Sequence, residues 1–402
     1  MSALDTAKTM GREAVLAKME ELALQEYGLI GGSLKALFDA AQAECEESGL
    51  EPGVVAALNN ADVDGVLLEV LKEEPEQVMA GIAAAAFAAG GEKKCLHLPE
   101  YAADLAENEA IRSAAEKYEI SLVSGIINKR ADKGCVMMHI VSAKQLADAL
   151  DGTYEAGVYV SVNGGKLEKV SADKKVSEVA ELEGAKALQI GYRYYTPEAG
   201  DMTLAEAGVE NGVIKVLAEK DCIVSETEKR LVACRKQSCG KCVFCREGLL
   251  QLQYMNKEIT EGRGKGEFVE LTKEIGDAMI YSTPCTMGQV SSKIALSAVD
   301  LFEKEYQSHI KKKKCPAGVC FSEEILYIDP QLCEGCEECA DACPLDCIEG
   351  KSGYIHMIDD ISCDKCGKCI EVCEVGAVKK AEGKLPKLPN RLTKVGRFKK
   401  RR

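Results

Sequence analysis

Seventeen of the 20 cysteines lie after residue 220, and their spacing is that of metal ligands rather than of disulfides. Cys333, Cys336, Cys339 and Cys343 recur 30 residues later as Cys363, Cys366, Cys369 and Cys373, and both runs read C-x2-C-x2-C-x3-C. Three thiolates so spaced grip three irons of a [4Fe-4S] cluster from one loop, and the fourth cysteine of each run crosses to the other cluster. The predicted ligand sets are therefore Cys333, Cys336, Cys339 and Cys373 for one cluster, and Cys363, Cys366, Cys369 and Cys343 for the other. Pro344 follows the first run and Glu374 the second, a departure that alters a turn and removes no ligand. Paired zinc sites or disulfides are the alternative, but zinc sites rarely use three cysteines spaced by two in tandem with a fourth. Cys347 is expected beside a cluster as a small buried hydrophobe.

A further triplet stands in Ser238-Cys239-Gly240-Lys241-Cys242-Val243-Phe244-Cys245. These three thiolates enter a predicted helix, whose N-terminus favours anionic ligands. The fourth ligand must come from elsewhere, and Cys285 is the best candidate because it lies in a loop between two predicted helices. Catalytic chemistry is not evident: His97, His139, His309 and His356 show no arrangement with a nucleophile. A G-x4-G-K-[ST] phosphate loop is missing, and Gly262–Gly266 follows no strand and reads as a connector.

The elements that must position these cysteines divide the chain. Residues 1–150 alternate helix and strand (Thr6–Tyr27, Val54–Leu58, Pro75–Ala89, Cys95–Leu98), an α/β layer pattern. Residues 151–221 are β-rich, with a hairpin signal at Asn163-Gly164 and strands over Val158–Val162 and Lys186–Tyr194. Residues 222–310 carry helical periodicity over Glu226–Lys236, Glu247–Thr260, Phe268–Tyr281 and Val290–His309, so a helical bundle is predicted. A linker over 311–324, a cysteine-rich module over 325–380 and an extended or disordered basic tail over 381–402 complete the chain. The formal charge of -14 argues against general nucleic-acid binding, and the tail is expected to dock on an acidic partner or stand solvated. The longest apolar stretch, around Ala80–Ala89, is half of what a membrane helix needs, and the first residues lack a signal-peptide layout, so a cytoplasmic protein is expected.

The segment 238–248 followed by Cys285 resembles the cluster motif of the NADH-binding flavoprotein subunit of respiratory complex I and of diaphorase subunits in soluble hydrogenases and formate dehydrogenases. Several of those relatives also carry a C-terminal two-cluster ferredoxin module. The resemblance implies a flavin-type α/β domain over 1–150, a β-grasp-like (SLBB) module over 151–221, a helical [4Fe-4S] domain over 222–310 and a ferredoxin domain over 325–380. It also implies a zinc site, because a cysteine at the position of Cys222 and a histidine before C-P-A-G-x-C, here His309, Cys315 and Cys320, recur in relatives with the ferredoxin extension. Three thiolates and one imidazole make a closed tetrahedral zinc site. Unliganded thiols are the alternative, and Cys234 is a possible substitute for Cys222. Cys45, Cys95 and Cys135 stand apart and are expected to be buried packing residues.

Against the family's flavin and NADH motifs the chain departs four times. The family's glycine-rich phosphate loop becomes Gly28-Leu29-Ile30-Gly31-Gly32-Ser33-Leu34-Lys35, shorter and without its arginine. N-A-D-E-G-E-P-G becomes Asn60-Ala61-Asp62-Val63-Asp64-Gly65. G-A-G-A-Y-x-C-G-E-E-T is missing, and N-N-V-E-T-L becomes Val141-Ser142-Ala143-Lys144-Gln145-Leu146. Flavin mononucleotide (FMN) and NADH are therefore expected to be absent, with Lys35, Asn60 and Asp62 as relics. The expected function is an iron–sulfur electron-transfer subunit with three [4Fe-4S] clusters and one zinc. Its expected partners are a flavoprotein oxidising NAD(P)H, a formate dehydrogenase, hydrogenase or molybdenum hydroxylase subunit, or free ferredoxin, in an oxygen-avoiding host. The alternative is an active FMN-containing NAD(P)H dehydrogenase subunit.

Overall fold

A computed structural model describes residues 2–27, 32–127, 132–320, 324–359, 362–363, 365–382 and 385–398. Two compact units divide at Cys320 and Phe321.

The first unit begins with a capping box at Ser2 and Asp5 on helix Ala3–Met10. The single helix expected over Thr6–Tyr27 is instead two, Ala3–Met10 and Arg12–Glu21, because Gly11 at φ +87° breaks the ladder between them. Strands β1 (Gly53–Ala57), β2 (Lys93–Leu98), β3 (Ser121–Ser124) and β4 (Cys135–His139) form a parallel sheet in the order β3-β2-β1-β4. All five residues of β1 are buried, as befits a parallel strand covered on both faces. Chain order reverses direction between β1 and β4, and the crevice at the carboxyl ends of those strands is where such sheets bind ligands.

The alanine-rich helix Pro75–Ala89 is closed by Gly90 in the left-handed conformation. It packs on helix Ile140–Asp151 so closely that a Cβ at Gly81 would lie 1.8 Å from the carbonyl oxygen of Ala143. Cys45, Cys95 and Cys135 are far apart in sequence yet meet here. Cys95 and Cys135 pack with Val55, and the Cys45 thiol donates to the Gly134 carbonyl at 3.3 Å.

Five further strands, β5 (Val158–Val162), β6 (Glu168–Val170), β7 (Ala187–Ile190), β8 (Arg193–Tyr195) and β9 (Val213–Leu217), form a mixed sheet in the order β6-β5-β9-β7-β8. Asn163 and Gly164 both have positive φ, +52° and +72°, and turn β5 into antiparallel β6. The strand expected over Lys186–Tyr194 is a hairpin, β7 and β8, turned at Gly191 (φ +58°).

Helices Ile223–Lys236, Val243–Thr260, Phe268–Ser282, Thr286–Val290, Lys293–Leu301 and Glu303–Lys312 follow. The single helix expected over Val290–His309 is broken near Ser291 and at Phe302. Helix Glu303–Lys312 runs two residues into the expected linker, and the boundary between the two units falls within it.

In the second unit β10 (Glu324–Ile328) pairs antiparallel with β13 (Val378–Glu382), and β11 (Ile348–Glu349) with β12 (Met357–Ile358). The basic tail is not free over its described part. The Ile355 N–H donates to the Thr393 carbonyl at 2.9 Å and the Val395 N–H to that of Gly353 at 3.1 Å. Val395 and Phe398 pack on the core of this unit, so two apolar side chains pin a segment whose charge reads as solvated. Residues 399–402 lie outside the described residues.

Candidate metal centres

Cys242 is the N-cap of helix Val243–Thr260 and Cys245 lies in its first turn, while Cys285 is the N-cap of helix Thr286–Val290. The two segments approach because Gly248 admits the Met279 side chain, whose sulfur would stand 2.5 Å from a Cβ there. Burial raises the Cys245 thiol, and Cys285, Cys239 and Cys242 are near enough to push it further. Ser238 Oγ lies 3.4 Å from the Cys245 sulfur, and the Gly240 N–H donates to that hydroxyl. Three further thiols close enough to bear on Cys245 make a group suited to a shared cation or cluster.

The second unit holds two cavities lined by four of the predicted cluster cysteines each. One is lined by Cys333, Cys336, Cys339 and Cys373. The other is lined by Cys363, Cys366, Cys369 and Cys343. Short helices Glu338–Asp341 and Lys368–Glu371 carry Cys339 and Cys369. Burial pushes the Cys339 thiol up to about 12, with Cys333, Cys336 and Cys373 adding to it. The Ala377 N–H reaches the Cys373 sulfur at 3.2 Å, and the Lys365 N–H reaches that of Cys363 at 3.4 Å. Such N–H donors suit sulfurs that carry negative charge. Cys347 is buried in the second cavity's wall, its sulfur 3.3 Å from that of Cys343.

Cys222, His309, Cys315 and Cys320 converge within the first unit, with all four ligand atoms within 4.8 Å of one another. Cys222 is the N-cap of helix Ile223–Lys236, and its sulfur stands 3.3 Å from His309 Nε2 and 3.4 Å from the Cys320 sulfur. His309 Nδ1 bonds the Glu305 carbonyl at 2.8 Å, which makes Nδ1 the protonated nitrogen and leaves the Nε2 lone pair facing the thiols. The Cys222 thiol is raised well above its ordinary value by the Cys320 sulfur and by burial. Those donors and that spacing fit a tetrahedral zinc ion. Cys234 is wholly buried elsewhere on the same helix, with Arg230 and Cys245 as its charged neighbours, and does not substitute for Cys222.

The crevice at the carboxyl ends of β1 and β4 is filled by protein. Buried Asp62 accepts from the Tyr192 hydroxyl and lies 3.2 Å from His139 Nε2. Asp64 pairs with Arg230 and, at 3.0 Å, with Lys215. Tyr192 and Lys215 come from the five-stranded sheet and its hairpin, Arg230 from helix Ile223–Lys236 and His139 from the end of β4, and sequence order offered no signal for them. Asn60 Nδ2 donates to the Ile127 carbonyl at 3.0 Å, and Lys35 pairs with Asp39 at 2.8 Å on an exposed helix face. Beside them His97, Asn60 and Tyr101 line a pocket similar in size to each of the two cysteine-lined cavities. Gly28–Gly31 of the expected phosphate-loop remnant lies outside the described residues.

Residues 226–309 match the family model described as the NADH-ubiquinone oxidoreductase-F iron-sulfur binding region, and residues 326–349 match a 4Fe-4S binding domain. The chain is 35% identical over 146 residues to the NADP-reducing hydrogenase subunit HndC of Solidesulfovibrio fructosivorans, which covers 36% of this chain and 30% of that protein. It is 27% identical over 103 residues to an NADH-quinone oxidoreductase subunit of Mycobacterium bovis, covering 26% of this chain and 23% of that one. The matches thus span less than a third of these relatives' lengths. Among solved structures, a chain of the NAD+-reducing [NiFe]-hydrogenase in its H2-reduced state aligns with TM-score 0.60 at 17% identity, over 76% of this chain and 64% of that one, a likeness of fold. Among the described residues no helix is long and apolar enough to cross a membrane. The chain thus resembles the NADH-binding flavoprotein (51 kDa) subunits in its iron-sulfur binding region, which a 4Fe-4S binding domain follows.

Proposed function

We propose that the chain is an electron relay within an oxidoreductase complex, holding three [4Fe-4S] clusters and one structural zinc and no flavin. The observation that carries the reading is the pair of four-cysteine cavities in the second unit, together with the third cysteine group in the first. Each cluster, when bound, takes up and releases one electron. The chain's own residues supply thiolates, backbone N–H donors to their sulfurs, and partial burial, with Cys333, Cys339, Cys363 and Cys369 inside and Cys336 and Cys366 exposed. Val243 and Phe244, 60% and 51% exposed between Cys242 and Cys245, give that cluster's loop an apolar face on which a redox partner can sit. The zinc would tie Cys315 and Cys320, which follow the last helix of the first unit, to the start of helix Ile223–Lys236.

The flavin-free reading is supported by the filled crevice. A flavin needs a pocket of several hundred cubic ångströms, and Tyr192, His139 and Arg230 occupy the place where a sheet of this topology would open one. The partner is then a subunit that does hold a flavin or another catalytic cofactor. Subunits of an NADP-reducing hydrogenase and of NADH-quinone oxidoreductases are among the relatives, which favours a hydrogenase-like or dehydrogenase complex.

The test is a cofactor count on the chain purified without oxygen. The expected result is about 12 irons per polypeptide, about one zinc and no acid-released flavin, with clusters that dithionite reduces and NADH alone does not. Flavin near one per chain with NADH-driven bleaching would overturn the reading in favour of an active dehydrogenase subunit.

A further inference from the structure

The two cluster cavities of the second unit are copies of one another under the 30-residue repeat, and they differ at a telling position. Ile328 in one wall answers to Ile358 in the other, and Val378 to Ile348. Leu326 lines the cavity of Cys363, Cys366, Cys369 and Cys343, whereas its repeat mate in the cavity of Cys333, Cys336, Cys339 and Cys373 is His356. His356 is 1% exposed, and neither Nδ1 nor Nε2 has a hydrogen-bond partner among the described residues. Buried polar groups are rarely left unsatisfied, and each such case asks for a group that would satisfy it. The backbone makes room for this ring at some cost in choice of residue, since a Cβ on Gly350 would lie 2.2 Å from the imidazole. The position therefore holds an imidazole, in a place that its twin fills with an aliphatic side chain, with no protein acceptor for its N–H.

We propose that His356 donates an N–H hydrogen bond to a sulfur of the cluster held by Cys333, Cys336, Cys339 and Cys373, and thereby sets that cluster at a higher potential than its twin. The inference rests on the cluster assignment proposed above. A neutral imidazole always carries one N–H, so no titration is needed. Reduction adds one electron, and so one negative charge, to the cluster. A donor aimed at a sulfur stabilises the reduced form more than the oxidised one and raises the potential, hydrogen bonds to sulfur being one of the recognised determinants. In the twin cavity Leu326 offers no donor. An otherwise symmetric pair becomes directional, with the electron resting on the His356 side. Cys347 adds to the asymmetry, because its repeat mate in the other cavity is Ala377.

The experiment is an EPR-monitored redox titration of the full chain, with 15N-histidine labelling to find nitrogen coupling to a reduced cluster. With four histidines in the chain, the label is easily assigned. The wild type should show one ferredoxin cluster coupled to a histidine nitrogen and higher in potential than the other. In His356→Leu that coupling should vanish and that cluster's midpoint should fall towards its twin's. In His356→Gln, which keeps an N–H, the midpoint should stay near that of the wild type. The cluster at Cys239, Cys242, Cys245 and Cys285 serves as the internal reference and should not move. Unchanged midpoints in His356→Leu with iron complete would overturn the proposal. Should His356→Leu lose four irons, Leu326→His decides: a raised midpoint for the twin supports the proposal and an unmoved one overturns it. Iron far below the expected count in the wild type would instead be a failure of the cluster assignment, which the iron assay reports separately.

Discussion

Glu26 is wholly buried, its carboxylate accepting from the His139 N–H at 2.5 Å while its other oxygen has no partner among the described residues. Burial pushes its pKa up to about 8, against the weaker lowering by Ser142 and His139. The folded state thus holds a proton that the unfolded chain releases near pH 4.5. Stability from this group is complete below that pH and is lost as pH rises towards 8, because the folded state binds more protons across the window. Glu26→Gln should therefore melt higher than the wild type at pH 8, with the difference closing below pH 5. Thermal melts at both pH values check it, and a constant difference between the two would count against the assignment. The residue scale also explains what motif reading could not see. Asp62 is the match to a family motif and Asp64 lies two residues on, yet their partners here are Tyr192, His139, Arg230 and Lys215, side chains brought in from other parts of the chain.

At the scale of elements, the repeat makes a prediction that spacing alone leaves abstract. Cys373→Ser should cost the cluster of the first run and Cys343→Ser that of the second, each losing about four irons. Each serine thus removes the cluster of the run in which it does not lie. The histidine coupling tells the two apart, because it should persist in Cys343→Ser and disappear in Cys373→Ser. The α/β region tests packing rather than ligation. Gly81→Ala would drive a methyl group into the Ala143 carbonyl, a backbone atom that cannot step aside. Overpacking of this kind costs about 1–3 kcal/mol. The expected result is a lower melting temperature with the iron content unchanged, since the predicted cluster ligands lie outside this helix pair. Helix breaks that periodicity merges are also decided here. Gly11 and Phe302 interrupt amphipathic patterns that run on through them, and a hydrophobic repeat does not register a backbone that turns away.

At the scale of the whole first unit, Arg230 is the link to test. It is 6% exposed on helix Ile223–Lys236 and pairs with Asp64 of the α/β part. Breaking a buried pair costs up to roughly 3–5 kcal/mol, and here Lys215, 3.0 Å from Asp64, remains to offset part of it. Arg230→Ala should lower the melting temperature strongly, and the double variant Arg230→Ala with Asp64→Ala should recover part of the loss. Additive losses would show that the two charges do not depend on each other. This pair, with Tyr192 on Asp62, lies at the loop that follows β1 and ties that loop to the rest of the first unit.

The grouping of the cysteines was legible in the amino-acid order because ligation of the kind proposed is local. Three thiolates must leave one short loop, so their spacing is written in consecutive residues, and an internal repeat doubles the signal. The α/β alternation, the Asn163-Gly164 hairpin and the helix ended at Gly90 were legible for the same reason, since turn and cap preferences act within a few residues. What only the tertiary structure decided depends on residues far apart in sequence. Cys222 faces His309 across 87 positions, and Tyr192 reaches Asp62 across 130. Cys45 comes beside Cys135, the tail's Val395 and Phe398 settle on the second unit's core, and His356 turns into a cavity rather than into plain packing. Such contacts are chosen by burial and by the pairing of polar groups removed from water, and neither leaves a periodic trace along the chain.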